Sequence, residues 1–121
     1  MILCLFFFKE PTKPVIKISD KPKTIEARDR SPITLNIGDN VTALTNTRIT
    51  IQCPTSGVPT PTVTWTKDGQ EISERDIYTV QEDGSLLISE ADEEDNTRYT
   101  CTAVSVVGKD SASSTMQILG K

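Results

Sequence analysis

Residues 63–69 read VTWTKDG, and they lie between two cysteines, Cys53 and Cys101. Trp65 is the only tryptophan of the chain, and Tyr99 lies two positions before Cys101. In a two-sheet β-sandwich, these are the places of an inter-sheet disulfide, of the indole that packs on it, and of a corner tyrosine. The spacing therefore predicts a β-sandwich.

Short alternating runs, each ended by turn residues, extend in both directions from this stretch. Since successive side chains of a strand point to opposite faces, every second residue should face inward. The expected inward residues are Ile49, Ile51, Cys53, Val63, Trp65, Leu86, Ile88, Tyr99, Cys101, Ala103, Met116 and Ile118. Eight or so short strands without useful helical periodicity predict an all-β, antiparallel two-sheet sandwich.

The length and composition fit one domain with a lean core. The chain has 121 residues, of which 36% are hydrophobic and 5% aromatic. We expect a signal-like start and a basic, mostly disordered linker over residues 1–30, and one domain over residues 31–120.

The charge is unevenly distributed along the chain. Residues 9–30 carry seven basic and four acidic residues, whereas residues 31–121 carry six basic and thirteen acidic ones. An acidic domain argues against nucleic acid as a partner, because phosphate is met by Lys and Arg. The basic arm is a candidate for contact with heparin-like polyanions or anionic lipid, and the simpler interpretation is a solvated linker.

The apolar start MILCLFFF (residues 1–8) contains the third cysteine, Cys4. It is too short to span a bilayer, so we expect no membrane insertion. No basic residue precedes it and no small-residue cleavage site follows it. We interpret it as a poor signal or the start of a truncated or alternative product, with a working signal peptide as the alternative. The sequence assigns no role to Cys4.

Over residues 31–120 the chain resembles immunoglobulin domains of the intermediate (I-set) type. The matching motifs are Cys53-Pro54, Gly57-Val58-Pro59-Thr60-Pro61, Trp65-Thr66-Lys67-Asp68-Gly69, Gly84-Ser85-Leu86-Leu87-Ile88, and Asp95 with Tyr99 and Cys101. Gly108 with Met116 and Ile118 matches the last turn and strand. In its Cys-Pro and Trp-x-Lys-Asp-Gly motifs, the chain is similar to modules of secreted matrix proteins of the ADAMTS-like, papilin and hemicentin kinds.

This resemblance implies an extracellular, non-catalytic interaction or spacer module with other proteins as partners. It implies an oxidised Cys53–Cys101 bond, a common device of small secreted domains, and an ion pair between Asp95 and a basic residue, for which Arg75 is the candidate. Two alternatives stay open. One is an intracellular, force-bearing domain of a muscle or cytoskeletal protein with reduced thiols, and the other is an ancillary domain of a matrix protease-like protein.

Two surface features are candidate sites. Asn40-Val41-Thr42 is an acceptor triplet for N-glycosylation, and we expect it in an exposed turn after Gly38. A threonine ladder should lie on the outer face of two neighbouring strands as a candidate partner face: Thr62, Thr64, Thr66, Thr100 and Thr102, extended by Val104. The alternative is that Thr is simply a suitable exposed strand residue.

Catalysis finds no support in the residues. The chain has no histidine, and therefore no Ser-His-Asp or Cys-His arrangement. The acidic run over residues 90–95 lacks the spaced oxygens and central Gly of a calcium loop, so we interpret it as a solvated corner. We expect no enzyme activity, cofactor or metal.

Overall fold

In a computed structural model, which describes residues 10–72 and 77–120, Cys53 directly follows a strand of one sheet and Cys101 lies in a strand of the other. The strands are β1 (Thr12–Ile16), β2 (Thr24–Glu26), β3 (Ile33–Asn36), β4 (Asn40–Leu44), β5 (Ile49–Gln52), β6 (Thr55–Val58), β7 (Thr62–Lys67), β8 (Gln70–Glu71), β9 (Tyr78–Val80), β10 (Leu86–Ile88), β11 (Thr97–Ser105) and β12 (Gly108–Leu119). A short 3-10 helix spans Glu93–Asp95.

Two sheets face each other across the core. One has the order β3-β5-β10-β9, the other has the order β2-β4-β12-β11-β7-β8, and β1 pairs with β6. The predicted all-β sandwich of immunoglobulin type is confirmed.

The pairing is mixed rather than purely antiparallel, which corrects the sequence-based expectation. Strand β4 runs parallel to both β2 and β12, and β3 runs parallel to β5. The chain reverses between β3 and β4 at Gly38, whose φ of 104° suits glycine. Alternation of apolar residues specifies which face is buried but not the direction of the neighbouring strand, so the sequence pattern could not reveal this.

The core is built around the disulfide that joins Cys53 to Cys101. Trp65 and Tyr99 are buried, and each polar tip has a partner. The indole Nε1 of Trp65 donates to the carbonyl of Gly84 at 2.8 Å, and the Tyr99 hydroxyl donates to the backbone carbonyl of Asp95 at 2.9 Å. All the expected inward residues, Leu86 among them, are buried except Val63, which is half-buried against the core.

The first described segment is ordered against the sandwich, where the sequence predicts a mostly disordered linker. Strand β1 pairs with β6 and lies beside the start of β12. The Asp110 carboxylate accepts from the backbone N–H of Ile16 at 2.8 Å, and Pro14 and Ile16 are buried. Strand β4 reaches only the last part of the long strand β12, so β1 covers the remaining edge.

The buried carboxylate of Asp39 binds the next part of this segment, at Lys23. Asp39 is 2% exposed and accepts from the backbone N–H of Lys23 at 3.1 Å and from its ammonium at 3.4 Å. Burial alone would raise the pKa of Asp39, but hydrogen bonds from Ser19 and Lys23 outweigh it and the pKa is lowered. The expectations for residues 1–9, including Cys4, lie outside the described residues.

Candidate interaction face

The outer surface of β7, β11 and β12 carries a ladder of hydroxyl groups. We call this surface the hydroxyl face, and its members are Thr62, Thr64, Thr66, Thr100, Thr102, Val104, Ser111 and Ser113. The register places Thr102 between Thr64 and Ser111, Thr100 between Thr66 and Ser113, and Val104 between Thr62 and Lys109. The structure thus brings all six residues of the predicted partner face together on one surface.

Hydrogen bonds between hydroxyls order the middle of this face. Thr100 and Ser113 are joined through their hydroxyl oxygens at 2.8 Å, and Thr102 and Ser111 at 3.2 Å. All eight members are uncharged, whereas the chain as a whole has a net charge of −4. The middle of this face can approach another protein with no charge of its own to desolvate, a step that is costly unless the charge is paired, while Lys109 and Glu71 lie at its borders.

Serines of β12 were missed by the sequence reasoning. Residues 108–114 read GKDSASS, a run without the apolar alternation that identifies a strand. The available signal was the small-polar alternation of Ser111 and Ser113 around Ala112, which continues the period of the threonines.

Apolar side chains are exposed at one end of the hydroxyl face. Val104 is 42% exposed, and Val106, in the turn between β11 and β12, is 90% exposed. Lys109 lies opposite Val104 in the register. This end combines apolar surface with the Lys109 cation and is called the hairpin end below.

Asn40 lies at the opposite margin of the same sheet, where it begins β4 and is half-buried rather than in an exposed turn. Its side-chain oxygen accepts from the backbone N–H of Thr115 at 3.0 Å and from its hydroxyl at 2.6 Å. Because Val41 is buried, alternation turns Asn40 to the outer side of the sheet. The register aligns Thr24 with Asn40 and Arg98 with Thr115.

Asp95, the last residue of the 3-10 helix, is buried and is paired with Lys67. The Lys67 ammonium lies 3.0 Å from the Asp95 carboxylate and donates to the Tyr78 hydroxyl at 2.8 Å. The Tyr78 hydroxyl also donates to Asp95, and the other carboxylate oxygen accepts from the Asp92 backbone N–H at 2.7 Å. Arg75, the expected partner of Asp95, lies outside the described residues.

The pKa values in this cluster follow from burial and from these contacts. Burial tends to lower the pKa of Lys67, but its bonds to Tyr78 and Asp95 and the attraction of the carboxylate raise it overall. Burial, with the adjacent Asp95, raises the pKa of both Tyr78 and Tyr99. The cluster has a structural role, since the polar groups of Lys67, Tyr78 and Asp95 hydrogen-bond to one another.

The acidic run over residues 90–95 forms a capped corner. The Asp92 carboxylate accepts from the N–H of Glu93, and Asp95 reaches back to the N–H of Asp92, a capping box. Glu90, Asp92, Glu93 and Glu94 are exposed. Among residues 10–72 and 77–120, no three Cys, Asp or Glu side chains converge as metal ligands. No helix in that part of the chain is long and apolar enough to cross a membrane.

The disulfide between two packed sheets, the buried tryptophan and the corner tyrosine define an immunoglobulin-type domain. The family model of the immunoglobulin I-set domain matches residues 31–118. The chain therefore belongs to the immunoglobulin I-set family.

Relatives of this chain are found among several kinds of protein. It is 44% identical to a titin homolog of Caenorhabditis elegans over 81 residues, which cover 64% of this chain and, to the nearest per cent, 0% of that protein. It is 32% identical to neural cell adhesion molecule 1 of Gallus gallus over 113 residues, covering 90% of this chain and 10% of the relative. For hemicentin-1 of Mus musculus, the identity is 36% over 93 residues, or 74% and 2% of the two proteins.

Solved structures show the same fold. The neural ectodermal development factor IMP-L2 superposes with a TM-score of 0.74 at 25% identity, covering 94% of this chain and 47% of that one. Titin domain M7 superposes with a TM-score of 0.66 at 27% identity, covering 93% and 99%. The chain is thus an immunoglobulin domain of the kind found in adhesion, matrix and titin-like proteins, and it spans 10% or less of the curated relatives named above. Families with this fold are generally non-catalytic.

Proposed function

We propose that this chain is a non-catalytic interaction and spacer module of a secreted matrix or cell-surface protein, and that it binds another protein through the hydroxyl face. The observation that carries the proposal is that face. Three adjacent strands present aligned, uncharged hydroxyl groups, and the hairpin end adds exposed Val104 and Val106. Protein interfaces of the non-obligate kind combine such hydrogen-bonding groups with apolar area.

The extracellular location is supported by the Cys53–Cys101 disulfide, because such bonds persist in oxidising compartments and are rare in the cytosol. Resemblance to hemicentin-1 and neural cell adhesion molecule 1 supports the same location. This chain covers 10% of neural cell adhesion molecule 1 and 2% of hemicentin-1. The partner and the role of the whole protein are therefore proposals as well.

The test is to secrete the chain from mammalian cells and to measure its intact mass and its retention on cell-deposited matrix. The mass should rise by about 2 Da on reduction, as expected when one disulfide opens. Thr64→Glu places a charge in the middle of the hydroxyl face, and Thr34→Glu places the same charge on an exposed strand residue of the other sheet.

We expect Thr64→Glu to lose retention and Thr34→Glu to keep it. Equal retention of both variants would refute the role of the hydroxyl face. A protein that stays in the cell with free thiols on Cys53 and Cys101 would refute the extracellular location.

The second candidate is an intracellular, force-bearing domain of a muscle or cytoskeletal protein. The observation that favours it is the 44% identity with the titin homolog. In that case the two cysteines would be reduced in the native cell, and thiol labelling of the protein from its own tissue distinguishes the two candidates.

A further inference from the structure

We infer that Asn40 carries an N-linked glycan that covers the Asn40 margin of the six-stranded sheet and leaves the hairpin end of the hydroxyl face open for a partner. The inference rests on the proposed extracellular location, because the Asn-x-Thr triplet is glycosylated in secreted proteins.

The Asn40 amide is held through its oxygen. Its oxygen accepts both hydrogen bonds from Thr115, at 3.0 and 2.6 Å. Among the described residues its nitrogen Nδ2 has no hydrogen-bond partner. The oxygen side of the amide is therefore fixed against β12, and the nitrogen, the atom to which the sugar is attached, is left unengaged.

The acceptor triplet and its neighbours share the outer side of the sheet. Thr42, which supplies the hydroxyl of the triplet, lies two residues further along β4 and, by alternation, on the same outer side as Asn40. The neighbours of Asn40 on this surface, Thr24 and Thr115, are exposed, as is Arg98 beyond them. Asn40 itself is half-buried, and these exposed neighbours give solvent access to the outer side of the sheet around it.

The attachment is a group transfer from a polyprenyl-diphosphate oligosaccharide. A bond forms between Asn40 Nδ2 and the anomeric carbon of the first sugar, and the bond between that carbon and the diphosphate oxygen breaks. Nδ2 loses one proton, and the polyprenyl diphosphate leaves with the electron pair of the broken bond. No oxidant or reductant is needed.

The direction of shielding follows from the register. Asn40, Thr115 and Arg98 lie on the adjacent strands β4, β12 and β11, so Arg98 is about 10 Å from Asn40 at about 4.8 Å per strand. Lys109 lies further along β12 from Thr115, about 20 Å away at about 3.3 Å per residue. The stem of the glycan therefore passes closer to Arg98 than to Lys109.

The experiment secretes the chain from mammalian cells behind a heterologous signal peptide and compares it with two Thr42 variants. Thr42→Val removes the acceptor triplet but keeps Asn40 and its bonds to Thr115, and Thr42→Ser keeps the triplet. We expect a glycan on the parent chain and on Thr42→Ser, and its loss in Thr42→Val. Release with a peptide-N-glycosidase should convert residue 40 from Asn to Asp.

Shielding is measured on the same samples with a dicarbonyl reagent for Arg98 and an amine-reactive ester for Lys109. We expect Arg98 to react more slowly in the glycosylated chain than in Thr42→Val, with the rate at Lys109 less affected. Equal slowing at both residues, or none at Arg98, would overturn the placement of the glycan.

The mass of the parent chain separates this inference from the proposed function. A secreted, disulfide-bonded chain with unmodified Asn40 would overturn the inference and leave the extracellular module standing. Retention in the cell with free thiols would overturn the proposed function, and the glycan with it.

Discussion

Lys67→Met removes the cation that neutralises the buried Asp95 while keeping a side chain of similar length. The Asp95 side chain is 2% exposed and that of Lys67 is 26% exposed. Among the described residues, the variant leaves the buried carboxylate with Tyr78 and the Asp92 N–H as its partners. We expect a loss of stability and no change of fold.

The magnitude follows from the burial of the two partners. Removing one partner of a fully buried ion pair costs about 3–5 kcal/mol, and a hydrogen bond to a charged group contributes about 1.5–3 kcal/mol. Because Lys67 is partly solvated and Asp95 keeps two other hydrogen bonds, we expect the free energy of unfolding to fall by about 2–3 kcal/mol.

The assay is urea unfolding of the parent, Lys67→Met, Asp95→Asn and the double variant, followed by Trp65 fluorescence. The neutral amide of Asp95→Asn no longer needs a cation. The two substitutions should therefore be less than additive, with a coupling of about 1–3 kcal/mol.

Arg75→Met supplies the control, because the family resemblance made Arg75 the expected partner of Asp95. If Lys67 is the counter-ion, Arg75→Met should change the unfolding free energy by no more than about 0.5 kcal/mol. The reasoning is refuted if Lys67→Met is neutral and Arg75→Met carries the loss and the coupling to Asp95.

Three further outcomes are expected. Ile16→Ala, on strand β1, should cost about 2–5 kcal/mol in urea unfolding, whereas Ile18→Ala should stay within about 0.5 kcal/mol, because Ile16 is 5% and Ile18 is 51% exposed; equal, negligible effects would mean that the first segment is detached. Reducing the disulfide should lower the unfolding free energy by about 4 kcal/mol in the chain-entropy model, as judged by urea midpoints with and without reductant; an unchanged midpoint would contradict this. Above about pH 10 the free energy of unfolding should fall. One cause is that the folded state retains the phenol protons of Tyr78 and Tyr99, whose pKa values are raised, while the unfolded state releases them. The other is that the stabilisation from the raised pKa of Lys67 is lost as the pH rises through its folded value. Urea midpoints at increasing pH check this, and Tyr78→Phe should flatten the slope.

The sequence predicted the residues whose positions depend on local alternation. Trp65 and Tyr99 are buried at the expected places, and the threonines of β7 and β11 share one face because period two assigns them to it. These features require only that each run be a strand, which the apolar pattern around them indicates.

Long-range contacts were beyond the same reasoning. Ile16 is held by Asp110, which lies 94 positions away in the chain, and the segment around it has too few apolar residues for a periodic signal. The position of Lys67 next to Asp95 depends on the register between β7 and β11. Neither the register nor the edge that β1 covers can be derived from a window of sequence.

The covered edges also bear on how a partner could bind. Along the described residues, the outermost strands of the two large sheets are β3, β9, β2 and β8, each of two to four residues. Short edges offer few backbone groups to an added strand, which is how sheet proteins avoid unwanted pairing. Strand β1 further covers the start of β12, the longest of the described strands.

The hydroxyl face, in contrast, extends over strands of six, nine and twelve residues. Side-chain contact across this face is therefore a better route to a partner than strand addition. A substitution that projects from it, such as Thr64→Glu, should weaken binding even though no edge is altered.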